Sequence, residues 1–197
     1  LSIFNSATAL LELDGHDNIV SYITGGGTTG GRIDLGGATL TVSTGYNSSA
    51  DVARNIEGSG SLVKNGSSYQ ALSGCDNSYD GATIINGGTF AVTCLGDGGA
   101  DSSIGSSSAA AGNLVLNGGT LRYVGAGDST DRRFTLGATS SRIEGSGTGA
   151  IVFTDDSALT FLTPNSAQTL TLGGTNTDDN ILAAQITDNG TGITRLT

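Results

Sequence analysis

The feature that most limits what this chain can fold into is a recurring corner, Asn-Gly-Gly-Thr, followed by a short stretch of alternating apolar residues. It reads Asn86-Gly87-Gly88-Thr89-Phe90-Ala91-Val92 and again Asn117-Gly118-Gly119-Thr120-Leu121-Arg122-Tyr123. A looser copy is Asp34-Leu35-Gly36-Gly37-Ala38-Thr39-Leu40-Thr41-Val42. Glycine takes the positive φ that a tight corner needs, and the residues after it send every second side chain to one face. Strands this short cannot bury an apolar face singly, so they must stack. The expectation is an all-β solenoid that offers a long surface rather than a compact pocket.

Composition tests that reading. The 197 residues include 33 glycines, one proline and no tryptophan or methionine, a mixture that can accompany disorder. Regular apolar pairs oppose that alternative: Leu114 and Leu116, Ile151 and Phe153, Leu170 and Leu172 keep an alternation that disordered tracts lack. The sole helical candidate, 106–112, is too short to be stable by itself. Strands are expected at 9–13, 19–24, 31–35, 38–43, 61–64, 70–73, 82–85, 89–93, 113–116 and 120–124. Further strands are expected at 134–136, 141–144, 150–154, 159–162, 169–172 and 181–187. Between them, 25–31, 46–51 and 97–108 are expected to protrude as loops.

In stacked coils, like side chains line up. The expected interior is Leu40, Val42, Phe90, Val92, Leu114, Leu116, Leu121, Tyr123, Phe153, Phe161, Leu170 and Leu172. Asn86 and Asn117 are expected at matching corners, where amides can bond along the column. Thr39, Thr41, Thr89, Thr120, Thr169 and Thr171 suit the solvated side. A second echo, Ile56-Glu57-Gly58-Ser59-Gly60 returning as Ile143-Glu144-Gly145-Ser146-Gly147, is spaced 87 residues apart, against 31 for the Asn-Gly-Gly copies. Loops of varying length between constant coils explain the lack of one strict period.

Fifteen Asp and three Glu against seven Arg and one Lys give a formal charge of −10. Such a surface repels nucleic-acid backbones, so no nucleic-acid partner is expected, and solubility is the plainest role of the charge. No apolar run approaches the ~18 residues of a membrane span, so the segment itself is not expected to insert into a membrane. A strand pattern is expected to be under way already at Leu1 and Ile3, and neither a signal peptide nor a terminal anchor is expected within these residues. Residues 1–197 are therefore expected to form a single β-helical unit, without an internal boundary, cut from a longer protein.

Cys75 and Cys94 stand nineteen residues apart, close to one coil of a solenoid. On adjacent coils ~4.8 Å apart they come within disulfide reach, and the bridge would contribute about 3 kcal/mol in the chain-entropy description. That pairing implies an oxidising compartment. The alternative is two unrelated buried thiols. Neither cysteine lies in a metal-binding cluster, and no metal or cofactor is expected.

A family resemblance rests on particular residues. The stretch Gly58-Ser59-Gly60-Ser61-Leu62-Val63-Lys64-Asn65-Gly66, then Leu72-Ser73-Gly74, then Tyr79-Asp80-Gly81-Ala82-Thr83-Ile84-Ile85-Asn86-Gly87-Gly88-Thr89-Phe90-Ala91-Val92 resembles the passenger-associated transport repeat. That repeat belongs to bacterial type V autotransporter passengers. Leu116 to Tyr123 and Thr130-Asp131-Arg132-Arg133-Phe134-Thr135-Leu136-Gly137 resemble its continuation, so the likeness covers roughly residues 30 to 190. It implies a right-handed parallel β-helix exported through the periplasm and outer membrane to the bacterial surface, with a translocator β-barrel outside this segment. The sequence departs from the repeat at Ser68-Tyr69-Gln70-Ala71, where Tyr69 or Gln70 is expected to face differently, and in its cysteine pair.

His16, in Asp14-Gly15-His16-Asp17, could be imagined in a triad, but the Gly-x-Ser-x-Gly elbow before a helix is missing, and a turn role is expected. Asp155-Asp156 and Asp178-Asp179 could serve as acid and base on a glycosidic bond, as in polysaccharide-degrading β-helix enzymes. Adjacent residues in a strand point to opposite sides, which favours turn roles. Gly96-Asp97-Gly98-Gly99-Ala100-Asp101 resembles a calcium nonapeptide only loosely and lacks tandem copies. Gly25–Gly27 and Gly125–Gly127 lack the context of a phosphate loop. Glycosylation sequons begin at Asn47, Asn65 and Asn189.

The resulting expectation is a surface-displayed passenger segment, not an enzyme. It would act as adhesin stalk or contact surface toward host cells, extracellular matrix or other bacteria, with loops 25–31 and 97–108 making contact. The alternatives are a polysaccharide-degrading enzyme and an inert spacer presenting another domain.

Overall fold

A computed structural model describes residues 1–3, 6, 8–25, 30–43, 51–52, 55–137 and 140–197. Short strands wind into about seven stacked coils. Successive coils lay their strands side by side, in parallel, on the faces of one solenoid. The longest sheet runs through Ser2–Ile3, Thr24–Gly25, Asp51–Val52, Tyr69–Leu72, Thr89–Val92, Thr120–Tyr123, Ser141–Gly145, Gln168–Gly174 and Thr194–Leu196. A second sheet joins Asn18–Val20, Thr39–Ser43, Ser61–Asn65, Thr83–Ile85, Leu114–Leu116, Thr135–Leu136 and Thr160–Phe161. Two three-stranded sheets close the remaining side: Leu10–Glu12 with Arg32–Asp34 and Ile56–Glu57, and Ala126–Thr130 with Gly149–Phe153 and Ile181–Leu182. The parallel β-solenoid expected from the corners is the fold. The 106–112 segment supplies no α-helix, only a 3-10 turn at Ala111–Asn113.

Register explains why the coils stack. Strand alternation sends Val20, Val42, Lys64, Ile85, Leu116, Leu136 and Phe161 into one column of the second sheet. On the long sheet, Gln70, Phe90, Leu121, Ile143 and Leu172 align, and beside them Leu72, Val92, Tyr123, Gly145 and Gly174. Phe90, Leu121, Leu40 and Leu170 are fully buried. Each such side chain contributes about 2 kcal/mol of burial. Phe134 and Phe153 meet edge to face with ring centroids 5.8 Å apart.

Two residues differ from the expected interior. Leu172 is 39% exposed, because its column reaches the last coils, where less of the chain lies over it. Phe161, last in its own column, is only partly buried. The corner asparagines do form a ladder. Asn86 Nδ2 donates to Asn65 Oδ1 at 2.8 Å, and Asn117 Nδ2 donates to Asn86 Oδ1 at 3.0 Å. Gly137 follows on the next coil, where a Cβ would stand only 1.9 Å from Asn117 Oδ1.

Two polar side chains occupy inward positions. Gln70 stands in line with Phe90, its amide donating to the Ile23 carbonyl and accepting from the Ile23 amide. This is the departure noted at Tyr69-Gln70: Gln70 faces inward, and Tyr69 is half-buried on the other side. Lys64, the chain's one lysine, is 1% exposed within an aliphatic column. Its ammonium donates to the carbonyls of Asn65 at 2.6 Å, Gly66 at 3.3 Å and Gly87 at 3.5 Å.

Candidate functional site

The most elaborate departure from plain coils lies between the strands Thr89–Val92 and Leu114–Leu116. An insertion there leaves the solenoid at the cysteine pair and returns at Asn113. The structure joins Cys75 to Cys94, with Cα atoms 5.5 Å apart, linking the ends of two successive strands of the long sheet. Immediately beside the bridge, Ser103 Oγ accepts from the amides of Thr93 and Cys94. Asn77 ties the same corner inward, accepting from the Ile56 amide and donating to the Gly74 carbonyl. The root of the insertion is thus held covalently and by polar contacts.

Its body is held by Arg132, which sequence reading had placed only in a run resembling the repeat's continuation. The guanidinium is 3% exposed and donates to the carbonyls of Leu95, Gly96, Asp97, Ala100, Gly105 and Ser107. Burial lowers its pKa, while Tyr79, Asp131 and Asp97 oppose the shift; an arginine so placed remains charged. Carboxylates complete the lacing. Asp128 accepts from the Leu95 amide at 2.8 Å, Asp131 from Gly98 at 2.7 Å, and Asp97 in turn from the Asp131 amide at 2.9 Å. Beneath the insertion, burial raises the pKa of the Tyr79 phenol, which shares a hydrogen bond with Thr83.

This geometry revises the picture of 97–108 as a simple protruding loop. Ser102, Ser103, Ile104 and Ser107 are buried, because Arg132 draws the segment's carbonyls inward. Asp97, Gly99, Ala100, Asp101 and Ser108 remain exposed as a small rim. In the loosely calcium-like stretch, Asp97 spends one oxygen on Asp131. Among the described residues, no group of three His, Cys, Asp or Glu side chains could hold a metal ion. Loops 25–31 and 46–51 lie largely outside the described residues, at 26–29 and 46–50, as does the sequon at Asn47. Asn65 belongs to the amide ladder, and Asn189 is 6% exposed with Nδ2 bonded to the carbonyls of Thr163 and Ser166.

The candidate acid–base residues are dispersed. His16 sits in an exposed turn, where its amide donates to the Leu13 carbonyl and Asp14 adopts φ +49°. Asp155 accepts from the Ser157 amide at 2.9 Å and lies 3.7 Å from Arg133 Nε. The Ser157 hydrogen bonds, with help from Arg133, hold its carboxyl below the usual range, the opposite of what a general acid requires. Asp178 is engaged in a turn with Asn176 and Asn180. Asp178 and Asp179 border a depression of about 460 Å³, whereas Asp155 borders a different, much smaller one. The two carboxylate pairs do not converge on a common cleft.

A parallel solenoid with an Asn-Gly-Gly corner on its stacked coils defines the class. The model of the passenger-associated-transport-repeat matches residues 62–92, which run from the second sheet around one coil to the end of Thr89–Val92. The chain is autotransporter passenger sequence carrying this repeat, and so a surface-exposed one. It is 58% identical over 198 residues to the Adhesin BmaC autotransporter of Brucella suis biovar 1 (strain 1330), a match covering 100% of this chain and 6% of that protein. The chain therefore spans a small part of the relative's length. No solved structure matches it. Among the described residues, no helix is long and apolar enough to cross a membrane.

Proposed function

We propose that this segment is an adhesive contact surface on a rigid stalk, binding host cells, extracellular matrix or other bacteria without chemical turnover. The observation that carries the proposal is the laced insertion. A solenoid needs no such structure to stack, yet six carbonyls are gathered on one buried guanidinium to hold an exposed rim at fixed height. Preorganised rims lose little entropy on binding. The similarity to a protein named as an adhesin supports the same reading.

The route fits the cysteines. We infer export through the periplasm and outer membrane by a translocator β-barrel outside this chain, with the Cys75–Cys94 bridge closing in the oxidising periplasm. Residues 1–197 then act as one β-helical unit of a longer passenger.

The rim is tested by Ala100→Lys combined with Asp101→Lys, two exposed positions whose side chains hold no part of the lacing. Adherence of bacteria displaying the variant should fall several-fold, while unchanged adherence would favour an inert spacer. Depolymerisation of a polysaccharide, abolished by Asp178→Ala with Asp179→Ala, would replace the adhesive reading with an enzymatic one.

A further inference from the structure

The formal charge of −10 is not spread evenly over the faces. On the outward side of the long sheet, register aligns Thr89, Thr120, Arg142 and Thr171 in one column and Ala91, Arg122, Glu144 and Gly173 in the next. Arg195 lies opposite Thr169, outward on the last strand. From Tyr69–Leu72 onward the charged outward residues of this sheet are thus Arg122, Arg142 and Arg195 against Glu144 alone. A predominantly acidic molecule carries a locally cationic, threonine-rich face.

Glu144 does not cancel that face; it organises it. It is 7% exposed and lies between the guanidinium Nε atoms of Arg122 and Arg142. Burial alone would raise its pKa, but the hydrogen bond and charge of Arg122, joined by Arg142, hold it below the usual range. Both arginines meet the carboxylate through Nε, and neither gives its terminal amino groups to a protein acceptor among the described residues. With Ser146, Gly174 and Thr175 they border a cleft of about 250 Å³. Gly173 lies close beside it, where a Cβ would stand 2.7 Å from Arg142 Nη2.

We propose that this cleft, extended along the sheet to Arg195, binds an acidic polysaccharide through its carboxylate or sulfate groups. Guanidinium forks pair with two oxygens of such a group at once, and flanking Ser and Thr hydroxyls match sugar hydroxyls. Arg122 and Arg142 sit on adjacent coils and Arg195 two coils beyond, about 10 Å further along the solenoid axis. That spacing suits a linear polymer with charges at intervals. Nucleic acid is disfavoured because this part of the face has no aromatic side chains on which bases could stack. The assignment deepens the adhesive reading and rests on it.

Titration calorimetry of the 197-residue chain tests the proposal. The probes are a heparin-derived octasaccharide, a hyaluronan octasaccharide, a neutral dextran oligosaccharide and vesicles containing phosphatidylserine. Binding is expected for at least one acidic oligosaccharide, weakening as salt rises, and for neither the neutral sugar nor the vesicles. Arg142→Gln with Arg195→Gln should weaken it about tenfold or more. Arg142→Lys, which keeps the charge beside Glu144, should fold normally and lose affinity only a few-fold. No binding to either acidic oligosaccharide, binding to vesicles alone, or full affinity in the folded double variant would overturn the assignment. Bacteria displaying the double variant that still adhere through the 100–101 rim would show that the adhesive reading survives that failure.

Discussion

At the scale of single residues, the inward column of the second sheet poses a specific question: why a lysine stands among Val42, Ile85 and Leu116. Its ammonium has carbonyl acceptors but, among the described residues, no carboxylate partner. Burial therefore lowers the Lys64 pKa. Between that lowered value and the ordinary ~10.4, the unfolded chain binds more protons than the folded one, so stability rises with pH across that window. Above about pH 10 the rise is opposed, because burial raises the pKa of the Tyr79 phenol and unfolding releases its proton. Urea unfolding at pH 7 and at pH 9.5 should show the native chain more stable at the higher pH, and Lys64→Met should remove the difference. An equal rise in Lys64→Met would assign it to other groups. Lys64 was legible in principle, being two residues after Leu62 in an alternating strand, but its charge argued for the outside. Gln70, two before Leu72, follows the same alternation, and the departure at Tyr69-Gln70 had marked the pair without deciding which of the two turns inward.

At the scale of elements, the coils were far more readable than the insertion. Thr39–Ser43, Ser61–Asn65, Thr89–Val92 and Thr120–Tyr123 lie within a residue or so of their expected spans because alternation and glycine corners mark both ends. Ala126–Thr130 was missed. It has no large apolar residue, and it is held by backbone pairing with Gly149–Phe153, which leaves no periodic trace. The lacing around Arg132 was invisible for a related reason, since its partners are carbonyls and any residue supplies one. Arg132→Ala should orphan several buried carbonyls and cost more than about 3 kcal/mol. Hydrogen exchange is then expected to rise across 95–107 while the strands Thr39–Ser43 and Ser61–Asn65 stay protected. Arg132→Lys should not restore protection, because a single ammonium cannot span the same set of acceptors. Uniform exchange across both regions would show that the insertion and the coils unfold together.

At the scale of the whole molecule, the irregular repeat spacing has a simple origin. Asn65 and Asn86 are 21 residues apart and bonded, whereas Asn86 and Asn117 are 31 apart and also bonded. The corner stays in register while the second interval absorbs an insertion ten residues longer. The stack fixes position along the axis, and extra length is expelled to the surface, where function can vary without disturbing the core. Large exposed apolar side chains cluster toward the two ends of the stack, at Leu10, Ile19 and Tyr22 and at Leu162, Leu172, Ile181, Ile186, Ile193 and Leu196. The flanks between them present threonines, the insertion's rim and most of the arginine face, which reaches the last strand at Arg195. The adhesive account predicts that these flanks suffice for contact. The direct measurement is adherence to cultured cells and matrix-coated surfaces by a non-adherent bacterium displaying this chain on a translocator barrel, compared with the barrel alone. A several-fold gain, competed by the soluble chain, is the predicted result. Equal adherence, with the displayed chain intact and protease-resistant at the surface, would contradict it.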